Sequence, residues 1–291
     1  VSDETQVYDR ATGTTYTERQ YGAGPLALVY RSRWGKLLRP LATNRLVSEV
    51  AALPRRLPWS KRDIQEFCAD YGIDLDDYVV PDGGYRSFAD FFVRDWAPDA
   101  RPVDPDPSAL LSPADGKLLL VPLDGRRLEL KGVAYDVADL LGESHLADRF
   151  RGGTAVVVRL TLDDAHRYCY PASGRTVRGA ARRSRLDTVA PAGGSTPFLA
   201  SNSRTWDLLD TPVFGRVVQV EVGALLVGRI VDEHAASFKA GDEKGRFELG
   251  GSTIVVLVRN GAVTFDADLL DWSGRGVETR VRARERIGVA S

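Results

Sequence analysis

Beyond position 107 the sequence breaks into short apolar runs, at 117–122, 154–160, 215–222, 224–230, 253–258 and 262–265, parted by Gly, Asp and Pro turns. Runs of this length, rich in Val, Leu and Ile, read as strands. No helical pattern alternates with them, which excludes a parallel doubly wound sheet and leaves antiparallel β-structure packed face to face. The chain before position 107 reads differently. From Pro25 to about Leu53, Leu26, Val29, Tyr30, Leu37, Leu38, Leu41, Leu46 and Val50 recur at roughly helical spacing, with Pro40 as a break. Ser60-Lys61-Arg62-Asp63 reads as an N-cap with an acid at N3, opening a helix that Gly72 ends. Phe88–Arg94 reads as a second, aromatic helix. The expected fold is α+β: an N-terminal helical segment followed by a mainly antiparallel β-sandwich.

Three regions follow. Residues 1–24 are a polar, Gly/Thr-rich lead-in, expected to be loosely ordered. Residues 25–106 are helical and basic, and end in the Pro/Asp-rich connector from Trp96 to Pro107; residues 107–291 are β-rich. Within 25–62 stand nine basic residues (Arg31, Arg33, Lys36, Arg39, Arg45, Arg55, Arg56, Lys61 and Arg62) against one acid, Glu49. With Trp34 and Trp59 among them, this reads as a basic amphipathic surface for anionic lipid, each cation near such a surface contributing ~1 kcal/mol. A helical hairpin packed on its own domain with a solvated basic face is the other reading.

Composition narrows the classes. A formal net charge of −1 argues against general nucleic-acid binding, so no nucleic-acid partner is expected. Two cysteines, Cys68 and Cys169, make no disulfide framework and suit a reducing compartment. The three histidines, His145, His166 and His234, form no H-x-x-x-H or C-x-x-C spacing, so no metal is expected. No apolar run approaches the ~20 residues of a membrane span, and no signal-peptide pattern opens the chain. With Val at position 1 and no Met, the start is expected to be trimmed or read from an alternative codon.

The chemistry-bearing stretch is Gly250-Gly251-Ser252-Thr253, which leads straight into the apolar run Ile254-Val255-Val256-Leu257. Ser252 should sit at the mouth of a strand, after two glycines that let the backbone turn tightly. Its Oγ lies one residue past the Gly251 carbonyl, within reach of an attack that would turn the peptide bond into an ester. Alone, these four residues more often make an ordinary turn into a strand.

Other motifs stand in a fixed order ahead of it. Ser87-Phe88 through Phe91-Phe92-Val93-Arg94 is followed by Ala100-Arg101-Pro102-Val103-Asp104, Ser112-Pro113-Ala114-Asp115-Gly116 and Lys131-Gly132-Val133-Ala134-Tyr135. Then come Leu160-Thr161-Leu162-Asp163-Asp164-Ala165-His166-Arg167-Tyr168-Cys169-Tyr170, Asn202-Ser203-Arg204, Phe214-Gly215 and Val222-Gly223-Ala224-Leu225-Leu226-Val227-Gly228. In order and spacing, over roughly residues 20–290, this resembles the phosphatidylserine decarboxylase family, pyruvoyl enzymes that cleave themselves at this serine.

The resemblance implies that cleavage between Gly251 and Ser252 leaves a β chain ending at Gly251 and an α chain of 252–291, with Ser252 converted to the pyruvoyl cofactor; neither a metal nor pyridoxal phosphate is implied. It makes 107–291 the catalytic domain. His166 matches the first histidine of the family's His-Arg-x-His signature, and Asp115 the acid of its self-cleavage triad. They read as base and orienter for Ser252. Cys169 stands where the signature has its second histidine, as in a branch with His-Arg-Tyr-Cys-Tyr, and Ala165 where an aromatic residue is usual. Either His166 serves both self-cleavage and decarboxylation, or another group, such as His234, takes one step. Asn202, Cys169 and His234 are supporting candidates. A strand-end histidine among Asp163, Asp164 and Arg167, and a plain Pro-Ala-Asp-Gly turn, are the structural readings of His166 and Asp115.

The implied reaction is decarboxylation of phosphatidylserine to phosphatidylethanolamine through a Schiff base on the pyruvoyl group, at the cytoplasmic face of a membrane where the enzyme sits peripherally on anionic lipid through residues 25–62. The family often forms dimers, so a homodimer is an expectation alongside the pairing of its own α and β chains. Two other readings stand: the same chemistry on a free or carrier-linked amino acid, and an uncleaved lipid-binding or interaction module. For the latter, the turns at 223–228 and 239–245 are similar to those of lipoyl-type carriers.

Overall fold

The computed structural model describes residues 5–18, 53–130, 132–182, 184, 198–223, 229–249 and 252–291. The helical pattern over 25–52, the glycines 250 and 251 and the run at 224–228 lie outside the described residues.

The polar lead-in is ordered where it is described. Gln6–Asp9 (β1) and Thr14–Thr17 (β2) form a hairpin, because Asp9 accepts the turn N–H of Ala11 and Gly13 takes the left-handed φ of +68° that the turn requires. Val7 is fully buried, and Arg10 bonds Asp266, Asp268 and Glu285, so the hairpin is fixed by contacts far along the chain. Composition misses this because the hairpin buries little apolar surface of its own: Val7 lies in β1, and the Thr-rich edge strand β2 has no buried side chain.

Next comes a small helical cap. Pro58–Asp63 is a 3-10 turn and Ile64–Tyr71 an α-helix (α1), ended by Gly72 at φ +62° as expected. Ser60 is not its N-cap. It is buried, its Oγ donates to the Leu57 carbonyl and accepts the Phe88 N–H, and so it joins α1 to the aromatic helix Phe88–Phe92 (α2). Ser87 does cap α2, accepting the Asp90 N–H at 3.2 Å. Phe67, Phe88, Phe91 and Phe92 pack together with Leu249, and Leu162 lies against them.

The rest is β-structure with short helices between. In chain order the elements are Ala109–Leu111 (β3), Gly116–Pro122 (β4), Arg127–Leu130 (β5), Val133–Asp136 (β6), Val137–Leu141 (α3), Ser144–Ala147 (α4), Thr154–Leu160 (β7), Arg167–Cys169 (β8), Gly174–Arg182 (β9), Phe198–Ser201 (α5), Arg204–Thr211 (β10) and Gly215–Gly223 (β11). Then follow Arg229–Asp232 (β12), Ser237–Phe238 (β13), Glu243–Glu248 (β14), Ser252–Val258 (β15), Val263–Phe265 (β16), Ala267–Gly274 (α6), Glu278–Val281 (β17) and Arg286–Ala290 (β18).

One large sheet runs β13-β9-β10-β11-β15-β7-β4-β17-β1-β2, antiparallel except where β1 lies parallel to β17. Side chains alternate across it, as the two-residue strand period demands. Val255 and Leu257 of β15 join one core with Val218, Val220, Val157 and the helical residues Leu140 and Leu141. Ile254, Val256 and Val258 join a second core with Val156, Val158, Tyr168 and Phe247, under the small sheets β12-β14-β8 and β16-β18-β3. The fold is thus α+β with a mainly antiparallel sheet, as expected. By the same period, Ser252 faces the second core.

Candidate active site

The large sheet and the β12-β14-β8 sheet are joined twice near this point: residues 161–166 leave β7 for β8, and β14, which ends at Glu248, precedes β15, which opens at Ser252. Ser252 pairs with Leu160 at one end, and the Phe247 N–H donates to the His166 carbonyl at 2.8 Å at the other. His166 and Ser252 therefore mark opposite ends of one small window, over which α1 and α2 are packed through Leu162 and Leu249.

Ser252 opens a strand whose seven residues are all buried. Its other neighbour is Gly223 of β11, whose carbonyl accepts from Asn202 Nδ2 at 2.8 Å while its N–H donates to the Ser203 carbonyl. Asn202 thus holds the backbone beside Ser252. On the upstream side Leu249 sits at φ +46°, a left-handed conformation unusual for a branched side chain, and is only 7% exposed. Such a residue stores strain of order 1–3 kcal/mol and persists only where packing enforces it.

His166 is completely buried. Its ring stacks on Phe92 at 3.8 Å, its N–H donates to the Phe92 carbonyl, and its Nδ1 lies 3.0 Å from the Asp164 carbonyl. A carbonyl only accepts, so Nδ1 carries the proton and Nε2 the lone pair. Burial first, then the charges of Arg94 and Lys117, lower its pKa to about 3, which keeps the ring neutral at physiological pH. Both Nε2 of His166 and Oγ of Ser252 are buried with no hydrogen-bond partner among the described residues. Unpaired buried polar atoms each cost ~1–3 kcal/mol, so two at a strained crossover mark a place shaped for chemistry.

Asp115 is placed differently from an orienter of His166. Its Oδ1 accepts from Arg101 Nε and the Ala283 N–H, both at 2.8 Å, and its Oδ2 from Trp96 Nε1 at 3.0 Å and Arg101 Nη2 at 3.1 Å. Burial alone would raise its pKa, but Arg101 and these donors hold it below the ordinary carboxylate value. Among the described residues it shares no hydrogen bond with His166. Instead Cys169 lies against the Asp115 turn: its N–H donates to the Pro113 carbonyl at 2.7 Å and its Sγ to the Ser112 carbonyl at 3.6 Å. Burial pushes that thiol up to about 12, so it stays protonated.

His234 is largely exposed, with Nδ1 3.4 Å from Asp207 Oδ2. It edges a buried ionic cluster in which Lys244 Nζ meets Asp207 and Asp232 at 2.8 Å and Glu221 at 3.0 Å. Asp207, Asp232 and His234 bring three potential ligand atoms close together, and the Lys244 ammonium offsets part of the negative charge there. Burial raises Glu221 to about 8 in spite of Lys244.

Sequence reading missed Lys117, Thr161, Asp164 and Arg101. Lys117 and Arg101 look like ordinary surface charges in sequence, yet they are 1% and 5% exposed. A cavity of about 310 Å³ opens beside the 161–166 crossover, with Arg101, Asp115, Asp163, Asp164, Arg280 and Arg282 in its wall.

A family model described as phosphatidylserine decarboxylase matches residues 88–289, which cover the window, the Asp115 turn and the Ser252 strand. The chain belongs to that family and is a carboxy-lyase. Curated relatives align end to end. The chain is 36% identical to phosphatidylserine decarboxylase proenzyme 2 of Clostridium acetobutylicum over 285 residues, 97% of each chain. It is 34% identical to the phosphatidylserine decarboxylase proenzyme of Chlamydia felis over 295 residues, 97% of each, and 31% identical to that of Fusobacterium nucleatum over 293 residues, 98% of each.

Proposed function

We propose that the chain is a proenzyme that cleaves itself between Gly251 and Ser252 and then decarboxylates phosphatidylserine to phosphatidylethanolamine. The observation that carries this is that Ser252 Oγ and His166 Nε2, at the two ends of one window, are buried with no hydrogen-bond partner among the described residues.

In self-cleavage His166 Nε2 takes the Ser252 hydroxyl proton as Oγ attacks the Gly251 carbonyl, and the Gly251–Ser252 amide becomes an ester with a free amine at 252. Removal of the Ser252 Cα proton then expels the Gly251 carboxylate, leaving a dehydroalanine. Tautomerisation and water release its nitrogen as ammonia, and a pyruvoyl group remains at 252. The residues around Ser252 fit such a group: the position is dry, its carbonyl-bearing neighbour Gly223 is held by Asn202, and a neutral base stands ready.

The pyruvoyl group supplies the electron sink that draws off the electron pair when carbon dioxide leaves. Phe92 and the buried window exclude water from that carbon, and His166 returns a proton to it. Support for a lipid substrate comes from residues 53–62, where Leu53, Leu57 and Trp59 are each about half exposed among Arg55, Arg56, Lys61 and Arg62. Exposed apolar side chains ringed by cations suit peripheral docking on an anionic bilayer.

Intact mass under denaturing conditions tests the first claim. The wild-type chain should give two fragments split at 251/252, the smaller lacking its amine nitrogen, and Ser252→Ala should stay whole. A wild-type chain that remains single on long incubation overturns it. For the substrate, carbon dioxide release should be seen with phosphatidylserine in mixed micelles and not with free serine; release from free serine alone would assign the chemistry to an amino acid.

A further inference from the structure

We infer that Lys117 and Asp164 are positioning residues for His166: they hold the Asp164 carbonyl against Nδ1 and so present the imidazole with Nε2 open as the base. This rests on His166 being that base.

The reasoning starts from the crossover itself. A histidine needs a partner on one nitrogen to fix which nitrogen is free. In the proteins where a carboxylate does this, loss of the carboxylate lets the ring adopt the wrong tautomer. Here the obvious carboxylate, Asp115, is fully committed to Arg101, Trp96 and the Ala283 N–H. The partner is a main-chain carbonyl, and a carbonyl in a four-residue turn is only as fixed as the turn.

The turn is fixed by Asp164. Its carboxylate accepts from the Thr161 N–H at 2.8 Å, from Thr161 Oγ1 at 3.0 Å and from Lys117 Nζ at 2.8 Å, while its own N–H donates back to the Thr161 carbonyl. Lys117 also donates to Thr161 Oγ1, so hydroxyl, carboxylate and ammonium form a closed ring of bonds. Lys117 is 1% exposed and also meets Asp163 at 3.3 Å and Glu18 at 4.0 Å. Arg94, equally buried, donates to the preceding carbonyl, that of Asp163. A buried ammonium with a single carboxylate would be enough for charge balance. Apart from the longer contact to Glu18, the extra bonds all fall on residues 161–164, the turn that carries the Asp164 carbonyl. Lys117 reaches this place because β4 pairs with β7, Lys117 opposite Arg159, two residues before the crossover begins.

The test uses the full chain as Ser252→Ala, labelled with ¹⁵N-histidine; with three histidines in the sequence the spectrum can be assigned by substitution. At neutral pH His166 should show a protonated Nδ1 and an unprotonated Nε2. Adding Lys117→Met should mix the two tautomers at His166 and leave His145 and His234 unchanged. In the chain that retains Ser252, Lys117→Met should slow self-cleavage about ten-fold or more, because a ring in the other tautomer carries its lone pair on Nδ1 and has none at Nε2 to offer. A protonated Nε2 in the Ser252→Ala chain overturns the inference, and so does a folded Lys117→Met chain with unchanged tautomer and rate. If Lys117→Met is insoluble, Thr161→Val, which deletes one hydroxyl from the same ring of bonds, takes its place with the same two readouts. Failure of the wild-type chain to cleave would remove the proposed function instead, and the tautomer in the Ser252→Ala chain would still decide whether the brace exists.

Discussion

Burial sets the protonation of His166 before any substrate arrives. Its pKa is lowered to about 3, against about 6.5 for a histidine in an unfolded chain. Between these values the unfolded chain binds a proton that the native state refuses. Stability therefore rises with pH across this window and is lost as the pH falls from about 6.5 towards 3. Two pH units below 6.5, at about pH 4.5, the penalty is on the order of 2–3 kcal/mol. Urea unfolding of the Ser252→Ala chain and of its His166→Gln derivative checks this. Going from pH 7 to 4.5, the histidine-bearing chain should lose that much more stability than the glutamine variant; equal losses would mean that the ring is protonated in place. Ser252 and His166 could be picked out in the sequence only through the ordered series of motifs they belong to, since a serine after two glycines and a histidine among Asp163, Asp164 and Arg167 are each ordinary by themselves. Lys117 and Asp164 could not be paired, since nothing local in Gly116-Lys117-Leu118 says that the lysine turns inward. That depends on which strand lies alongside, a fact fixed some forty residues further on.

At the scale of elements, the connector from Trp96 to Pro107 is the piece whose part in the site the sequence conceals. Its Pro and Asp content marks a boundary, yet its Trp96 and Arg101 reach into the β-structure and close around Asp115, and Tyr78 forms a bridge with Trp96 behind them. Arg101 and Asp115 are each 5% exposed, so this is a buried ion pair with its lone pairs satisfied. Removing one partner of such a pair typically costs ~3–5 kcal/mol, because the other charge stays buried, whereas removing both costs far less. Arg101→Met should therefore destabilise the uncleaved Ser252→Ala chain by about that amount, and adding Asp115→Asn should restore part of it. A urea double-mutant cycle reads the coupling directly. Additive losses would show that the two residues act independently. Helix ends fared unevenly for a related reason. Gly72 ends its helix through its own backbone and was visible, while Ser60 spends its hydroxyl on Phe88, 28 residues away, and the cap that does form, Ser87 on Asp90, was not read.

Across the whole molecule, the same strand order that hides the site also decides what self-cleavage can do to the fold. The antiparallel character was legible from the apolar runs, but the insertion of late strands among early ones was not. Residues 252–291 contribute β15 between β11 and β7, and β17 between β4 and β1. β15 pairs with β7 along its whole length, from Ser252 opposite Leu160 to Val258 opposite Thr154, and with β11 from Ser252 to Leu257. Its residues Ile254 to Val258 are at most 1% exposed, and each side chain of that size contributes ~1.5–3 kcal/mol when withdrawn from water. Val281 of β17 and Ile287 of β18 add to the core that holds Ile254, Val256 and Val258. A cut at Gly251–Ser252 falls between β14 and β15, just ahead of the first paired residue of β15, so it removes a covalent link but leaves the strand order of the sheet intact. The two fragments should elute together as one species in native size-exclusion chromatography, and come apart only in concentrated guanidinium. Because the smaller fragment supplies a central strand, the larger one separated this way should not regain the native β-sheet signal in circular dichroism when refolded alone, and should regain it when the smaller is returned. A small fragment that elutes separately under native conditions would contradict the strand order on which this rests.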